Sequence, residues 1–182
     1  MNLAKIYPYV VPASYIEHAP NGPDRFILPI GHDVFAMLVH DLNGVCRNVL
    51  PSELAQAKLT SAAAHEQALE NLERLALGAE IQKSKHQGPT GVPFVLWSGH
   101  WLTASCIRLP RLHAFATKFL NTDTACVSIP QREAMLLFPL STKEQREQMQ
   151  TLIRKNEEGA RKLVTWELFE LSAAGLRPFT EQ

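Results

Sequence analysis

The stretch Ser61-Ala-Ala-Ala-His-Glu-Gln-Ala-Leu-Glu-Asn-Leu-Glu-Arg-Leu-Ala-Leu77 constrains the fold more than any other part of the chain. Ala64, Ala68, Leu69, Leu72, Leu75 and Ala76 recur at three- and four-residue intervals and share one stripe of a helix, while Glu66, Glu70, Glu73 and Arg74 fall on the other side. Thr60 or Ser61 can accept a hydrogen bond from a first-turn N–H, and Gly78 can supply a left-handed residue to end the helix. An amphipathic helix of this length is marginal alone in water, so its stripe needs a surface to lie on. The short β-like runs on either side of it can supply that surface.

Ile6 to Ile16 is rich in β-formers, but its prolines lack the N–H that a central strand needs, which places it at an edge or over the surface. His18 to Asp24 reads as a loop, and residues 1–25 together as a Pro-rich edge or surface segment. Val34 to His40 and Val45 to Leu50, joined by Asp41-Leu-Asn-Gly44, form a β-hairpin, and Pro51 starts a short helix. Ile81 to Val92 is polar and aperiodic and is expected to be a mobile surface loop. Phe94 to Trp97 and Trp101 to Ile107, around Ser98-Gly99, make a second hairpin with Leu102, Ala104 and Cys106 on one face. Leu112, Phe115, Ala116, Phe119 and Leu120 form a second helical stripe ended near Asn121, and Ala125 to Ile129 with Ala134 to Phe138 make a third hairpin.

Ser141-Thr-Lys-Glu144 has capping-box spacing for a third helix running to about Gly159, thinly striped by Met149, Leu152 and Ile153. Leu163 to Leu171 is a last strand, and 172–182 a polar tail. Hairpins interleaved with helices predict a single α+β domain over 1–182. Its largely antiparallel mixed sheet comes from three hairpins, with the central amphipathic helix and two further helices.

Composition bounds the partners. A 182-residue chain with 46% apolar residues can build one core without disulfides or metal. Lys plus Arg and Asp plus Glu balance at 18 each, so no long-range field favours nucleic acid or anionic lipid. No apolar run is long enough to span a bilayer, and Met1 to Pro29 lacks the apolar core of a signal peptide. Cys46, Cys106 and Cys126 sit singly in apolar runs and read as buried thiols of a cytosolic protein.

A set of short motifs then lines up in order: Ile6-Tyr-Pro8, Leu38-Val-His-Asp41 with Arg47, Leu54, Glu66-Gln-Ala-Leu-Glu-Asn-Leu72, Ser98-Gly99, Ala104-Ser105 and Val127-Ser-Ile-Pro130. As a set these residues, between about 5 and 140, resemble the C-terminal part of the bacterial YtpQ-like family, a domain of unknown function. The resemblance implies a fold and a domain boundary and adds no chemistry. Cys106 stands where the family tends to have arginine, and Glu133 where it tends to have aspartate.

No familiar catalytic or nucleotide motif occurs: G-x-S-x-G, G-x-G-x-x-G, G-x-x-x-x-G-K-S/T and H-E-x-x-H are all missing. His32-Asp33 and His40-Asp41 have the composition of a metal-binding His-Asp pair, but at strand ends Asp41 serves a turn, and no metal or cofactor is expected. A Cys–His pair drawn from Cys106 or Cys126 with His100 or His113 would need an exposed, electropositive thiol, which apolar strands do not supply. Asn71 is an amide at the edge of the buried stripe that must find a partner. Trp97, His100 and Trp101 cluster at the turn of the second hairpin, the composition of a protein-binding hot spot. The reading that follows is a non-catalytic cytosolic protein-binding factor, of accessory or immunity type. Its candidate binding residues are Trp97, His100, Trp101, Asn71 and Arg132, and its partner is another protein or a second copy of the chain. The alternative is a small hydrolase built from His40, Asp41, Arg132 and Glu133.

Overall fold

Prolines decide where the first strand can sit. Pro8 and Pro12 remove two N–H donors from β1 (Ile6–Pro12), and β1 pairs on one side only, antiparallel to β3 (Val34–Asp41). It is the edge of a four-stranded sheet ordered β1-β3-β2, with β2 at Ile27–Gly31 and β4 (Cys46–Asn48) also on β3. The structure is a computed structural model and describes residues 2–18, 26–42, 45–88, 91–160 and 162–181. The loop expected over His18 to Asp24 lies outside the described residues except for His18, which ends α1 (Ala13–His18).

The outer edge of β1 is closed by side chains. Ile6, Pro8, Val10 and Pro12 alternate along the strand, so the prolines and the other two present backbone groups to the same side. Val10 N–H donates to Ser105 Oγ at 3.1 Å, and Ile6 C=O accepts from Asn71 Nδ2 at 2.9 Å. Asn71 belongs to α3 (Ser61–Leu77), which packs on β1 behind the short α2 (Pro51–Gln56). Thr60 caps α3 by accepting from Ala63 N–H, as expected. Gly78, however, is not left-handed, with φ at −74°. Its N–H bonds the Arg74 and Leu75 carbonyls, and the Lys83 ammonium takes the Ala76 carbonyl, a cation on the negative end of the helix. The buried stripe is Ala64, Ala68, Asn71, Leu72 and Ala76, narrower than expected, with Leu69 and Leu75 half-buried.

The second sheet has six strands in the order β10-β9-β7-β8-β6-β5, all pairings antiparallel. β7 (Ala125–Gln131) and β8 (Ala134–Pro139) form the expected hairpin, linked by Arg132-Glu133. Both faces are covered, which explains their continuous apolar runs. Ala125, Val127 and Ile129 face the main core, while Cys126, Leu136 and Phe138 meet Met149 and Ile153 of α5 (Lys143–Asn156).

Four expectations are corrected. Ile81 to Val92 is no loop through its length, because β5 (Gln82–Gln87) pairs with β6 (Pro93–Ser98). The second hairpin does not form: beyond Gly99 the chain turns back, and Leu102 to Ile107 is buried residue by residue, with a 3-10 helix over Ala104–Arg108. α5 is capped by Thr142, which accepts from Gln145 N–H, rather than by Ser141, and it stops at Asn156. The final strand shortens to β9 (Leu168–Ser172), and the supposed polar tail supplies β10 (Gly175–Pro178). A hairpin not foreseen joins β2 to β3 through His32 and Asp33, both at positive φ (49° and 55°), the backbone sense that matches strand twist.

The 3-10 helix over Ala104–Arg108 joins the two sheets. Ser105 holds β1, Ala104 N–H donates to the Arg132 carbonyl in the β7–β8 link at 3.0 Å, and Cys106 and Ile107 enter the core that both sheets share. α4 (Leu112–Leu120) follows it onto the second sheet and ends at Asn121, which is left-handed at φ 54°. Among the described residues no helix is long and apolar enough to cross a membrane.

Candidate functional site

Where α3 ends, β5 and β6 pass beneath α4 and enclose a groove of about 470 Å³. Its wall is aromatic: Trp97 meets Phe115 edge-on at 4.8 Å, and Phe115 stacks on Phe119 at 4.2 Å. Two large apolar side chains stay in water at its mouth, Leu77 (79% exposed) and Phe119 (38%). Cations rim it. Lys83 lies 4.8 Å over the Trp97 ring, with Lys118 and Arg111 beside the groove, while Lys85 lies 5.0 Å over Phe119 from the adjoining surface. Desolvation pulls the Lys83 amine below the usual lysine range. The rim's acid, Glu73, is held by Arg111 at 3.2 Å.

Trp97 is therefore a buried wall residue rather than part of an exposed turn. His100 and Trp101 are half-buried and belong to a different place. Trp101 packs against Tyr7 (6.5 Å) and Tyr9 (5.6 Å) of β1, so the tip that a hairpin would have projected is folded onto the first sheet. His100 Nδ1 accepts from Leu102 N–H at 3.2 Å and its carbonyl accepts from Thr103 Oγ1 at 2.7 Å. Burial holds its pKa below the usual histidine value, against the opposing pull of Glu80, Asp41 and Glu133.

Arg132 reaches the same tyrosine from the far side. Its guanidinium sits 5.5 Å over the Tyr9 ring and donates to the Tyr9 hydroxyl. Tyr9 thus joins Trp101 to Arg132. Asn71 lies apart, as the cap on β1, and accepts from Gln67 and Arg74 through Oδ1.

His40 is separated from the rest of the hydrolase set, while Asp41 and Glu133 both act on His100. The pairing places His40 opposite Ile6, on the other face of the sheet from Tyr9, to which Arg132 is bound, and Glu133 pairs with Lys162 at 3.0 Å. His40 is buried, with neither ring nitrogen hydrogen-bonded among the described residues. His32 bonds the Leu168 carbonyl through Nε2 at 2.9 Å, joining the two sheets. Among the described residues no three His, Cys, Asp or Glu side chains are grouped to hold a metal. Burial pushes the Cys106 and Cys126 thiols up to about 12, far from a reactive thiolate. Cys46 corrects the expectation of burial: the residue is exposed on β4, although desolvation around its sulfur and the Asp41 carboxylate push the thiol up to about 11.

Two antiparallel sheets sharing one core with α4, α5 on the far face of the second sheet, and a basic-rimmed apolar groove define an α+β protein. Comparisons with family models, with curated proteins and with solved structures gave no match to this chain.

Proposed function

We propose that this is a non-catalytic protein-binding factor, of accessory or immunity type, whose groove at Trp97 receives an acidic segment of another protein with apolar side chains on one face. The carrying observation is Leu77 and Phe119 standing exposed at the mouth of an aromatic groove rimmed by Lys83, Arg111 and Lys118. Exposed apolar area inside a charged rim is the composition of an interaction surface, and the sign of the rim selects acidic partners. A second copy docking by the same face would set these cations against themselves. The cytosol is part of the proposal, in keeping with three free cysteines. So is kinship with the YtpQ-like family, on the motifs quoted above.

Peptides selected from a random library on the immobilised protein test the reading. They should be rich in Asp and Glu with Leu or Phe at helical or strand spacing. They should bind about tenfold or more weakly to Phe119→Glu and to Lys118→Glu, and lose affinity as salt rises. Selection of basic or uncharged peptides, or binding indifferent to both substitutions, would overturn it.

A further inference from the structure

A second cavity of about 470 Å³ opens where β1 runs into α1, facing the β7–β8 link. Its chemistry differs from that of the groove, and the inference drawn from it stands independently. The two-residue link fixes Arg132 at the cavity wall, half-buried, with its guanidinium over Tyr9 and one N–H on the Tyr9 hydroxyl. A guanidinium has five N–H donors, so most of its fork is left over. The adjacent acid is already engaged, since Glu133 pairs with Lys162 at 3.0 Å. Among the described residues no carboxylate forms an ion pair with Arg132, and none lines the cavity.

The rest of the wall is basic, hydroxylic or apolar. Lys162 lies on it, as does His18, whose Nδ1 donates to the Ser14 carbonyl at 2.7 Å. Tyr15 stands edge-on to Tyr9 at 6.2 Å, and Val11, Pro12 and Leu163 complete the lining. A partly desolvated cation with no direct ion pair, whose neighbouring Glu133 is shared with Lys162, favours an anion, and the planar guanidinium fork matches the two oxygens of a carboxylate or phosphate. The volume is that of a site for a small organic molecule rather than a bare ion. The exposed Tyr15 ring, with Leu163 and the aliphatic walls beside it, suits a flat apolar body.

We propose that this cavity binds a small aromatic oxyacid, its anionic oxygens on Arg132 and its ring against Tyr15 and Leu163. The bland account is that Arg132 only packs on Tyr9, and the two separate experimentally. The full chain is titrated with benzoate, phenyl phosphate, inorganic phosphate and neutral benzamide, followed by calorimetry and by backbone amide shifts.

Benzoate or phenyl phosphate should saturate below about 10 mM, with benzamide and inorganic phosphate each about tenfold weaker or worse. Which of the two aromatic acids binds tighter identifies the oxyanion. Arg132→Gln should weaken the acid about tenfold or more and leave benzamide unchanged. Should that variant melt early, Arg132→Lys keeps the charge while losing the fork, and it should still show a severalfold loss. Absence of saturation by either aromatic acid, benzamide binding as well as the acids, or folded Arg132 variants binding normally would each overturn the proposal. Inorganic phosphate binding as tightly as phenyl phosphate would overturn the aromatic part of it.

Discussion

The Asn71 amide closes on the backbone of a strand 65 residues away, its Nδ2 2.9 Å from the Ile6 carbonyl and 2.7 Å from that of Leu3. Ser105 does the converse, accepting the Val10 N–H at 3.1 Å. Both side chains are buried, so deleting either strands a backbone group away from water. Asn71→Ala and Ser105→Ala should each lower stability by about 1–3 kcal/mol, read from denaturant midpoints. Losses below a few tenths of a kcal/mol in both would show that water or another group takes over the caps.

Trp101 is covered by its own chain more fully than Phe119, which is 38% exposed. Trp101→Ala should therefore destabilise the protein by about 2 kcal/mol, somewhat less than a fully buried aromatic. Phe119→Ala should stay within about 1 kcal/mol of wild type. Thermal melts of the two variants check the assignment, and the reverse order would contradict it.

The thiols should label in two classes. Cys46 is exposed and should react first, although slowly for a surface cysteine, because at neutral pH little of it is thiolate with its pKa pushed up to about 11. Cys106 and Cys126 should react only after unfolding. Mass spectrometry after native labelling should find a single adduct, on Cys46. Early modification of Cys106 would break the account of the 3-10 helix.

Two histidines make stability depend on pH. Burial holds both His65 and His100 below the ordinary value of 6.5, so as pH falls the unfolded chain takes up these protons first. Their contribution is complete above about 6.5 and is lost as pH falls through the lower native values. Protonation of His100 also removes the Nδ1 acceptor that Leu102 N–H uses. Stability should decline from pH 7 toward pH 5, and the difference between wild type and the His65→Gln, His100→Gln double variant should shrink over that interval. A pH-independent difference would exclude the histidines as its source.

Elements buried on one clear stripe or on both faces were legible in the sequence. α3 and α4 follow the 3.6-residue period, and β3, β7 and β8 the continuous apolar run of a covered strand. β5 was not, because every residue from Gln82 to Gln87 is exposed and an edge strand of Gln, Lys, Ser and His carries no apolar signal. Leu102 to Ile107 misled for the opposite reason: a segment enclosed on all sides has the composition of a strand whatever its backbone does. The groove was hidden because Phe119 fits a helical stripe equally well whether a neighbour covers it or not. Asn71 could be flagged as an amide needing a partner, but the partner is fixed only by how α3 lies on β1. Ile6, Pro8, Asn71 and Ser105 serve this edge closure and lie in neither cavity.

The helix over Ala104–Arg108 makes the two sheets thermodynamically one body. Releasing β1 from Ser105 would open Cys106 and Ile107 to water, and the same side chains pack the second sheet, so neither ladder can melt while the other keeps its core. Unfolding should then be a single cooperative transition, with van't Hoff and calorimetric enthalpies in agreement although the strands divide into two separate sheets.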